Sequence, residues 1–171
     1  MMQLPSNTEI TSVGLSTSPV VSFGKIDRSH VVVDLENLCG SSNSVPRLSP
    51  MAYAGLNSLI RLDRAQVVVA VGIQAWTQCP ELGFQWPNSR LLVGRGVDGA
   101  DLRLVEDLLD EPQAKRSSRV VIASGDGRFA DPALELREAG VHVTVVAHSS
   151  KLSGRLRRAA NEVLNFPVLA A

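Results

Sequence analysis

Residues 30–37 read His-Val-Val-Val-Asp-Leu-Glu-Asn, a short β-branched run that passes directly into acidic and polar side chains. Comparable apolar runs follow at 67–71, 90–93, 120–123 and 141–146. Runs of this length, separated by amphipathic stretches, are typical of parallel strands that are covered by helices on both faces. The sequence therefore predicts an α/β fold with a doubly wound, mainly parallel sheet of about five strands.

The length of 171 residues and a hydrophobic content of 44% fit one folded domain. Residues 1–28 are rich in Ser and Thr and show no sustained period, so we expect a flexible N-terminal extension there. Residues 29–166 form the predicted domain, and residues 167–171 form a C-terminal tail. Because neither a signal peptide nor a membrane-spanning run is visible, we expect a cytoplasmic protein without membrane contact.

Charge and cysteine usage exclude several classes of protein. Seventeen basic residues balance seventeen acidic ones, so any affinity for nucleic acid must come from local charge. Cys39 and Cys79 lie outside any CxxC or Cys/His spacing, which argues against a zinc site or a disulfide framework. Both cysteines are predicted to be reduced and structural.

Three helices have recognisable ends in the sequence. Ser49-Pro50 is expected to begin one helix, and Asp131-Pro132 is expected to begin another, which ends at Gly140. A final helix is expected at about 152–161, and residues 163–166 are a candidate for a short last strand.

The acidic residues that follow the strands are the strongest functional signal. In open α/β sheets, ligands bind outside the carboxyl ends of the strands, at the point where the strand order reverses. Asp34 directly follows the first predicted strand and Asp126 follows the fourth, and these two strands lie together or nearly so in either common strand order. Asp101 begins the stripe of its helix that faces the sheet, because Leu104 and Leu108 follow it at i+3 and i+7.

Three carboxylates at one edge of the sheet bring three negative charges together. Their repulsion and burial cost several kcal/mol of folding free energy unless they are protonated or neutralised by a cation. Mg²⁺ or Mn²⁺ fits this role, because these hard ions prefer oxygen ligands and keep waters that can be activated as nucleophiles. Each aspartate taken alone also fits a helix cap or a turn.

Other charged residues have two interpretations each. Asp98 and Asp107 are candidates for secondary acids of the site or for solvated acids, and Asp131 is a candidate for a secondary acid or a helix cap. The final helix carries a basic group that is either a solvated face or a surface that holds an RNA backbone. Its members are Lys151, Arg155, Arg157 and Arg158.

Three motifs in series resemble the NYN domains, which are relatives of the PIN-type nucleases. Residues 33–38 read Val-Asp-Leu-Glu-Asn-Leu and resemble the D-x-E-N motif, and residues 99–107 resemble the G-A-D-x-x-L-x-x-D pattern. Residues 124–129 read Ser-Gly-Asp-Gly-Arg-Phe and resemble the S-G-D-x-D-F pattern. The resemblance covers about residues 30–166, and three ordered motifs are more specific than any one of them.

The resemblance implies a PIN-like parallel sheet with a divalent-metal ribonuclease site. Asp34, Asp101 and Asp126 match the acidic ligands, and Asn37 matches a polar residue that orients water or substrate. Glu36 matches the motif without a defined role.

One position departs from the family pattern. Arg128 stands where the family usually has a second acid. Three alternatives stay open: Asp131 compensates for the missing acid, Arg128 contacts an RNA phosphate, or the site is weakened.

Three functions are therefore compared. The leading one is a metal-dependent endoribonuclease that acts on RNA. The second is a non-catalytic RNA-binding or regulatory module of the same fold. The third is a phosphatase of the haloacid dehalogenase type, which the Gly125-Asp126-Gly127 segment followed by Asp131 resembles, although the expected nucleophile motif matches poorly at Asp34. The oligomeric state is left open, with a homodimer among the options.

Overall fold

The fold is a six-stranded, all-parallel sheet with the strand order β3-β2-β1-β4-β5-β6. The computed structural model describes residues 29–110 and 116–169. The predicted extension at 1–28 therefore lies outside the described residues. The strands are β1 (Ser29–Asp34), β2 (Ala65–Gly72), β3 (Ser89–Gly94), β4 (Arg119–Ala123), β5 (His142–Ala147) and β6 (Glu162–Asn165).

Strand β1 lies at the centre of the sheet, between β2 and β4. Val33 is in register with Val69 of β2 on one side and with Ala123 of β4 on the other. The chain builds outward from β1 through β2 to β3, then crosses back to β4 and builds outward in the other direction. The reversal therefore falls between β1 and β4, where ligands bind in open α/β sheets.

Helices cover both faces of the sheet. They are α1 (Leu35–Cys39), α2 (Val45–Leu59), α3 (Ile73–Gln78), α4 (Leu82–Gln85), α5 (Gly99–Asp110), α6 (Ala130–Glu138) and α7 (Gly154–Ala159). Short 3₁₀ turns at Ser42–Ser44, Leu62–Arg64 and Gly127–Phe129 connect several of them. Within the described parts of the chain, no helix is long and apolar enough to cross a bilayer.

Alternation along the strands divides the core into two layers. Val31 and Val33 point to the layer that includes Trp86 and the residues of α1 to α4, whereas Val32 packs with Leu104 of α5 and the residues of α6 and α7. Successive side chains of a strand point to opposite faces, so a run such as Val31-Val32-Val33 is apolar throughout only when both faces are covered. The predicted α/β class and doubly wound parallel sheet are confirmed, with six strands instead of about five.

Two predicted helix starts are wrong. Helix α2 begins at Val45, with Pro46 in its first turn and Pro50 in its interior. The hydroxyl of Ser49 is buried and accepts a hydrogen bond of 2.9 Å from the Trp86 indole, so it does not cap the helix. Burial of Val45 in the core explains the earlier start, because tertiary packing overrides the local signal of Ser and Pro.

Helix α6 also begins before the predicted residue. Its N-cap is Phe129, so Asp131 lies inside the first turn. The fully buried Phe129 fixes the preceding 3₁₀ turn against the core, and the helix continues directly from it. Gly140 does follow the helix end, with φ of +85° and its amide bonded to the Arg137 carbonyl, and the last strand appears at Glu162–Asn165.

Candidate active site at the β1/β4 edge

Asp34 is the most deeply buried carboxylate of the predicted cluster. Asp34 is the last residue of β1. One of its carboxylate oxygens accepts a hydrogen bond of 3.1 Å from the backbone amide of Asn37, so Asp34 is the N-cap of α1. The other oxygen accepts a hydrogen bond of 2.8 Å from the Ser124 hydroxyl, at the end of β4. Asp34 is only 5% exposed, so it is both the cap and the inward-facing acid that the sequence offered as alternatives.

The environment of Asp34 disfavours its charged form. Burial, followed by the charge of Asp101, raises the pKa of Asp34 to about 7 from an ordinary 3.8. The hydrogen bonds from Asn37 and Ser124 act in the opposite direction but do not offset the burial. Ionised Asp34 would therefore be stabilised by a cation at this edge.

Asn37 joins α1 to the loop that follows β4. Its side-chain oxygen accepts a hydrogen bond of 3.0 Å from the Gly125 amide. Gly125 in turn lies against the segment that follows β5, because its carbonyl accepts a hydrogen bond of 2.9 Å from the Ser153 amide. A Cβ atom at Gly125 would be 2.6 Å from the Lys151 carbonyl oxygen, so only glycine fits here.

Asp126 follows Gly125 in the same loop and is partly exposed. Its carboxylate accepts a hydrogen bond of 2.9 Å from the Arg128 amide and caps the 3₁₀ turn Gly127–Phe129. The Asp126 amide donates to the Ser124 hydroxyl at 3.2 Å. Ser124 thereby connects the backbone of Asp126 to the carboxylate of Asp34.

Ser124 was missed as a site residue at the sequence level, although it belongs to the Ser-Gly-Asp motif. It is 1% exposed and immediately follows β4. A serine before Gly-Asp at a strand end is the signal that could have identified it.

Asp101 enters the site from α5. It lies in the first turn of this helix, where a carboxylate interacts favourably with the helix dipole. Its side chain is 16% exposed. Burial and the charge of Asp126 raise the pKa of Asp101, whereas Arg128 lowers it. Asp34, Asp101 and Asp126 therefore interact electrostatically at the same edge of the sheet.

Arg128 forms ion pairs with two acids of the β3–α5 region. Its Nη2 atom lies 2.8 Å from Asp98 Oδ2, and its Nη1 atom lies 3.8 Å from Asp101 Oδ2. Asp98, one of the candidate secondary acids, is thus beside the cluster and bound to the arginine. The loop before it depends on the close approach of Gly94 to the start of α5, where any Cβ atom would overlap the backbone.

Glu36 links helix α1 to the neighbouring strand β2. Its Oε1 atom accepts a hydrogen bond of 2.8 Å from the Gly72 amide at the end of β2. The role that the sequence left undefined is therefore a link between α1 and β2, at the rim of the aspartate cluster.

Two candidate secondary acids are occupied by other partners. Asp107 is buried, lies 2.7 Å from the His30 Nε2 atom and also pairs with Arg90. His30 is the second residue of β1, whereas Asp34 ends it, so Asp107 belongs to the opposite end of the sheet. Asp131 is exposed and pairs with Arg155 at 2.9 Å.

The basic group of the final helix lies on the surface. Arg155, Arg157 and Arg158 are exposed residues of α7, and Arg155 is the one that pairs with Asp131. Lys151 is exposed in the loop between β5 and α7, whose backbone packs on Gly125. Of this basic group, Lys151 is therefore the residue whose backbone lies against the Gly125 loop, and its Nζ atom lies near Gly40 at the end of α1.

The donor chemistry of this edge fits a hard divalent cation. The donors at this edge are carboxylate, hydroxyl and amide oxygens, contributed by Asp34, Asn37, Asp101, Ser124 and Asp126. Among residues 29–110 and 116–169, no three His, Cys, Asp or Glu side chains already stand in metal-holding positions. Mg²⁺ needs only one or two carboxylates besides its waters, so two of the three aspartates suffice as protein ligands.

Comparisons with solved structures agree with the fold. The chain is similar to a protein of unknown function from Vibrio parahaemolyticus, with 16% identity, a TM-score of 0.57 and coverage of 82% of this chain and 93% of that one. It is also similar to the YcaC gene product of Escherichia coli, described as an octameric hydrolase of unknown specificity. That match has 21% identity, a TM-score of 0.50 and coverage of 87% of this chain and 80% of the other.

At these identities the structural matches support the fold alone. None of the curated proteins compared with this chain matches it. The model of one protein family, the NYN domain, matches residues 28–167, which include the strands, the aspartate edge and the final helix. The chain therefore belongs to the NYN domain family, as its three sequence motifs predict.

Proposed function

We propose that this protein is a divalent-metal-dependent ribonuclease that hydrolyses RNA phosphodiester bonds at the carboxyl ends of strands β1 and β4. The observation that supports the proposal most is the electrostatic interaction of Asp101 with both Asp34 and Asp126 where the strand order reverses, with the pKa of Asp34 raised to about 7. Buried, mutually repelling carboxylates in such a position mark a functional site. The PIN-like nuclease fold of the family is consistent with this chemistry.

The aspartates would hold Mg²⁺ or Mn²⁺. A bound ion of this kind supplies a water of lowered pKa and neutralises charge on the phosphoryl group. Asp34 is fixed by two hydrogen bonds and does not need to reorganise, whereas Asp101 and Asp126 are less buried and can adjust their side chains.

The surrounding residues would position the RNA. Asn37 accepts a hydrogen bond from the Gly125 backbone amide and so holds the loop that carries Asp126. Lys151 and the exposed arginines of α7 offer cations for the phosphate backbone, which would orient a strand without reading its sequence. We further propose that the protein acts in the cytoplasm, and a homodimer remains a prediction that light scattering after size-exclusion chromatography would check.

The test is cleavage of labelled single-stranded and structured RNAs with Mg²⁺ or Mn²⁺. Asp34→Asn and Asp126→Asn each remove one carboxylate charge and keep the side-chain shape. Metal-assisted charge stabilisation is worth several kcal/mol, so each variant should lose ~100-fold or more in rate. Asp63→Asn is the matched control, because Asp63 is an exposed acid in the 3₁₀ turn that precedes β2, at the opposite end of the sheet.

The remaining outcomes assign the other functions. An RNA complex without cleavage at any metal concentration would favour the non-catalytic RNA-binding module, in which Arg128 weakens the site. Turnover of an aryl phosphate without RNA cleavage would favour the phosphatase. Cleavage that survives in both site variants would refute the assignment of the aspartates.

A further inference from the structure

Arg128 places a positive charge inside the acidic edge. It belongs to the 3₁₀ turn Gly127–Phe129, between the capping residue Asp126 and the fully buried Phe129. Its backbone amide is held by the Asp126 carboxylate at 2.9 Å. The backbone of Arg128 is therefore anchored on both sides, by Asp126 and by Phe129.

The guanidinium is directed at the acids of the β3–α5 region. It contacts Asp98 at 2.8 Å and approaches Asp101 at 3.8 Å, with Arg128 and Asp98 each about two-fifths exposed. The Asp98 backbone is fixed as well, because its carbonyl accepts a hydrogen bond of 3.0 Å from the Leu102 amide in the first turn of α5. The contact thus joins two anchored segments, the turn after β4 and the start of α5.

A cation in this position opposes a second cation. Asp101 is one of the three carboxylates proposed as metal ligands, and a guanidinium 3.8 Å from one of its oxygens repels a divalent ion there. Asp34, at the other side of the site, has no ion pair with Arg128 and is bonded to Ser124 and Asn37 instead.

We propose that Arg128 is a built-in counter-cation of the acidic edge, which neutralises its Asp98–Asp101 side and thereby lowers the affinity of the site for divalent ions. The inference rests on the metal site under the proposed function and concerns binding of the ion, not cleavage. Removal of the charge should therefore tighten metal binding, and a substitution that keeps the charge should not.

The experiment is calorimetric titration of Mn²⁺ into the full chain without RNA. Arg128→Gln and Arg128→Met remove the charge, and both should bind Mn²⁺ roughly tenfold more tightly than the wild type. Arg128→Lys should stay within about threefold, because it keeps the charge. The matched control is Arg103→Gln, which removes a cation that pairs with Glu106 on the outer side of the same helix α5.

A second variant locates the ion. Asp34→Asn should weaken Mn²⁺ binding strongly, both by itself and when combined with Arg128→Gln, and this result would assign the titrated site to this edge. Circular dichroism checks the fold of every variant, and Arg128→Met is the alternative if Arg128→Gln does not fold.

The proposal would be overturned by equal or weaker Mn²⁺ binding in both neutral variants. It would also be overturned if neither the wild type nor these variants bound Mn²⁺ at millimolar concentration, since Arg128 would then have no ion to oppose. Failure of the ribonuclease proposal is distinguishable: tighter Mn²⁺ binding without RNA cleavage would leave the inference intact and remove only the nuclease activity.

Discussion

Asp34→Asn should make the metal-free protein more stable at neutral and alkaline pH. Because the folded-state pKa of about 7 lies above the ordinary 3.8, the folded protein binds more protons than the unfolded chain between these values. Stability from this group is complete below about pH 4 and is lost as the pH rises through about 7. At ~1.36 kcal/mol per pH unit, the full interval corresponds to ~4 kcal/mol.

The asparagine variant avoids the free-energy cost of ionising a buried carboxyl, but it makes weaker hydrogen bonds. Its amide cannot accept the Ser124 hydroxyl and the Asn37 amide as well as a carboxylate does, so a net stabilisation of ~1–3 kcal/mol at pH 8 is expected. For a chain of this size that is a rise in Tm of ~2–4 °C per kcal/mol. The stabilisation should be lost as the pH falls to about 4 and below, because the folded wild-type carboxyl is protonated there and the unfolded one becomes protonated as well, which leaves only the poorer hydrogen bonds of the asparagine.

Urea denaturation in EDTA at several values between pH 4 and pH 8 measures the effect. Mn²⁺ added at pH 8 should restore stability to the wild type and not to the variant, because an ion that binds only the folded state stabilises it. Asp63→Asn is the control, since the hydrogen bond from Arg61 lowers the pKa of this exposed acid, opposite to the shift of Asp34. Parallel pH profiles for the wild type and Asp34→Asn would refute the reasoning that burial of Asp34 opposes its ionisation.

Three further predictions concern the rest of the molecule. Asp107→Ala should destabilise the fold by ~3 kcal/mol in urea denaturation, because it removes the buried partner of His30, while any protein that remains folded keeps its Mn²⁺ affinity. Gly94→Ala should destabilise the protein strongly by the same assay, since the added Cβ meets the backbone of α5, whereas Gly83→Ala meets only a side-chain carbon at 3.8 Å and should be neutral or stabilising. Lys151→Gln should weaken RNA binding and reduce the slope of log affinity against log salt by about one, while Arg64→Gln, at the opposite end of the sheet, should leave the slope unchanged.

The fold class was readable from the sequence because its cause is local. Val31-Val32-Val33 is apolar at every position, which is stable only in a strand that is covered on both faces. The five predicted runs all became strands of one parallel sheet, and the short run after α7 became the sixth. The predicted helix starts at Ser49 and Asp131 were wrong because their cause is not local. Packing of Val45 and Phe129 into the core determines where these helices begin.

The candidate site divides in the same way. Asp34, Asp101 and Asp126 were identifiable because each stands at the end of a strand or the start of a helix in a parallel sheet, and such ends share one edge. Their partners were not identifiable, because Ser124, which bonds Asp34, lies 90 positions away along the chain. The sequence made Asp107 a candidate secondary acid of the site. Only the packing of α5 against β1 shows that Asp107 pairs with His30 and Arg90 instead.

The sequence by itself determined which residues form the parallel strands and which acids stand at their carboxyl ends, since both follow from local periodicity and order along the chain. The tertiary structure decided what each acid meets. Burial raises the pKa of Asp34, and the loop after β5 packs on Gly125. Arg128, in the turn after β4, forms an ion pair with Asp98, which precedes α5. These properties depend on distances between segments that are remote in the chain, and no local pattern encodes such distances.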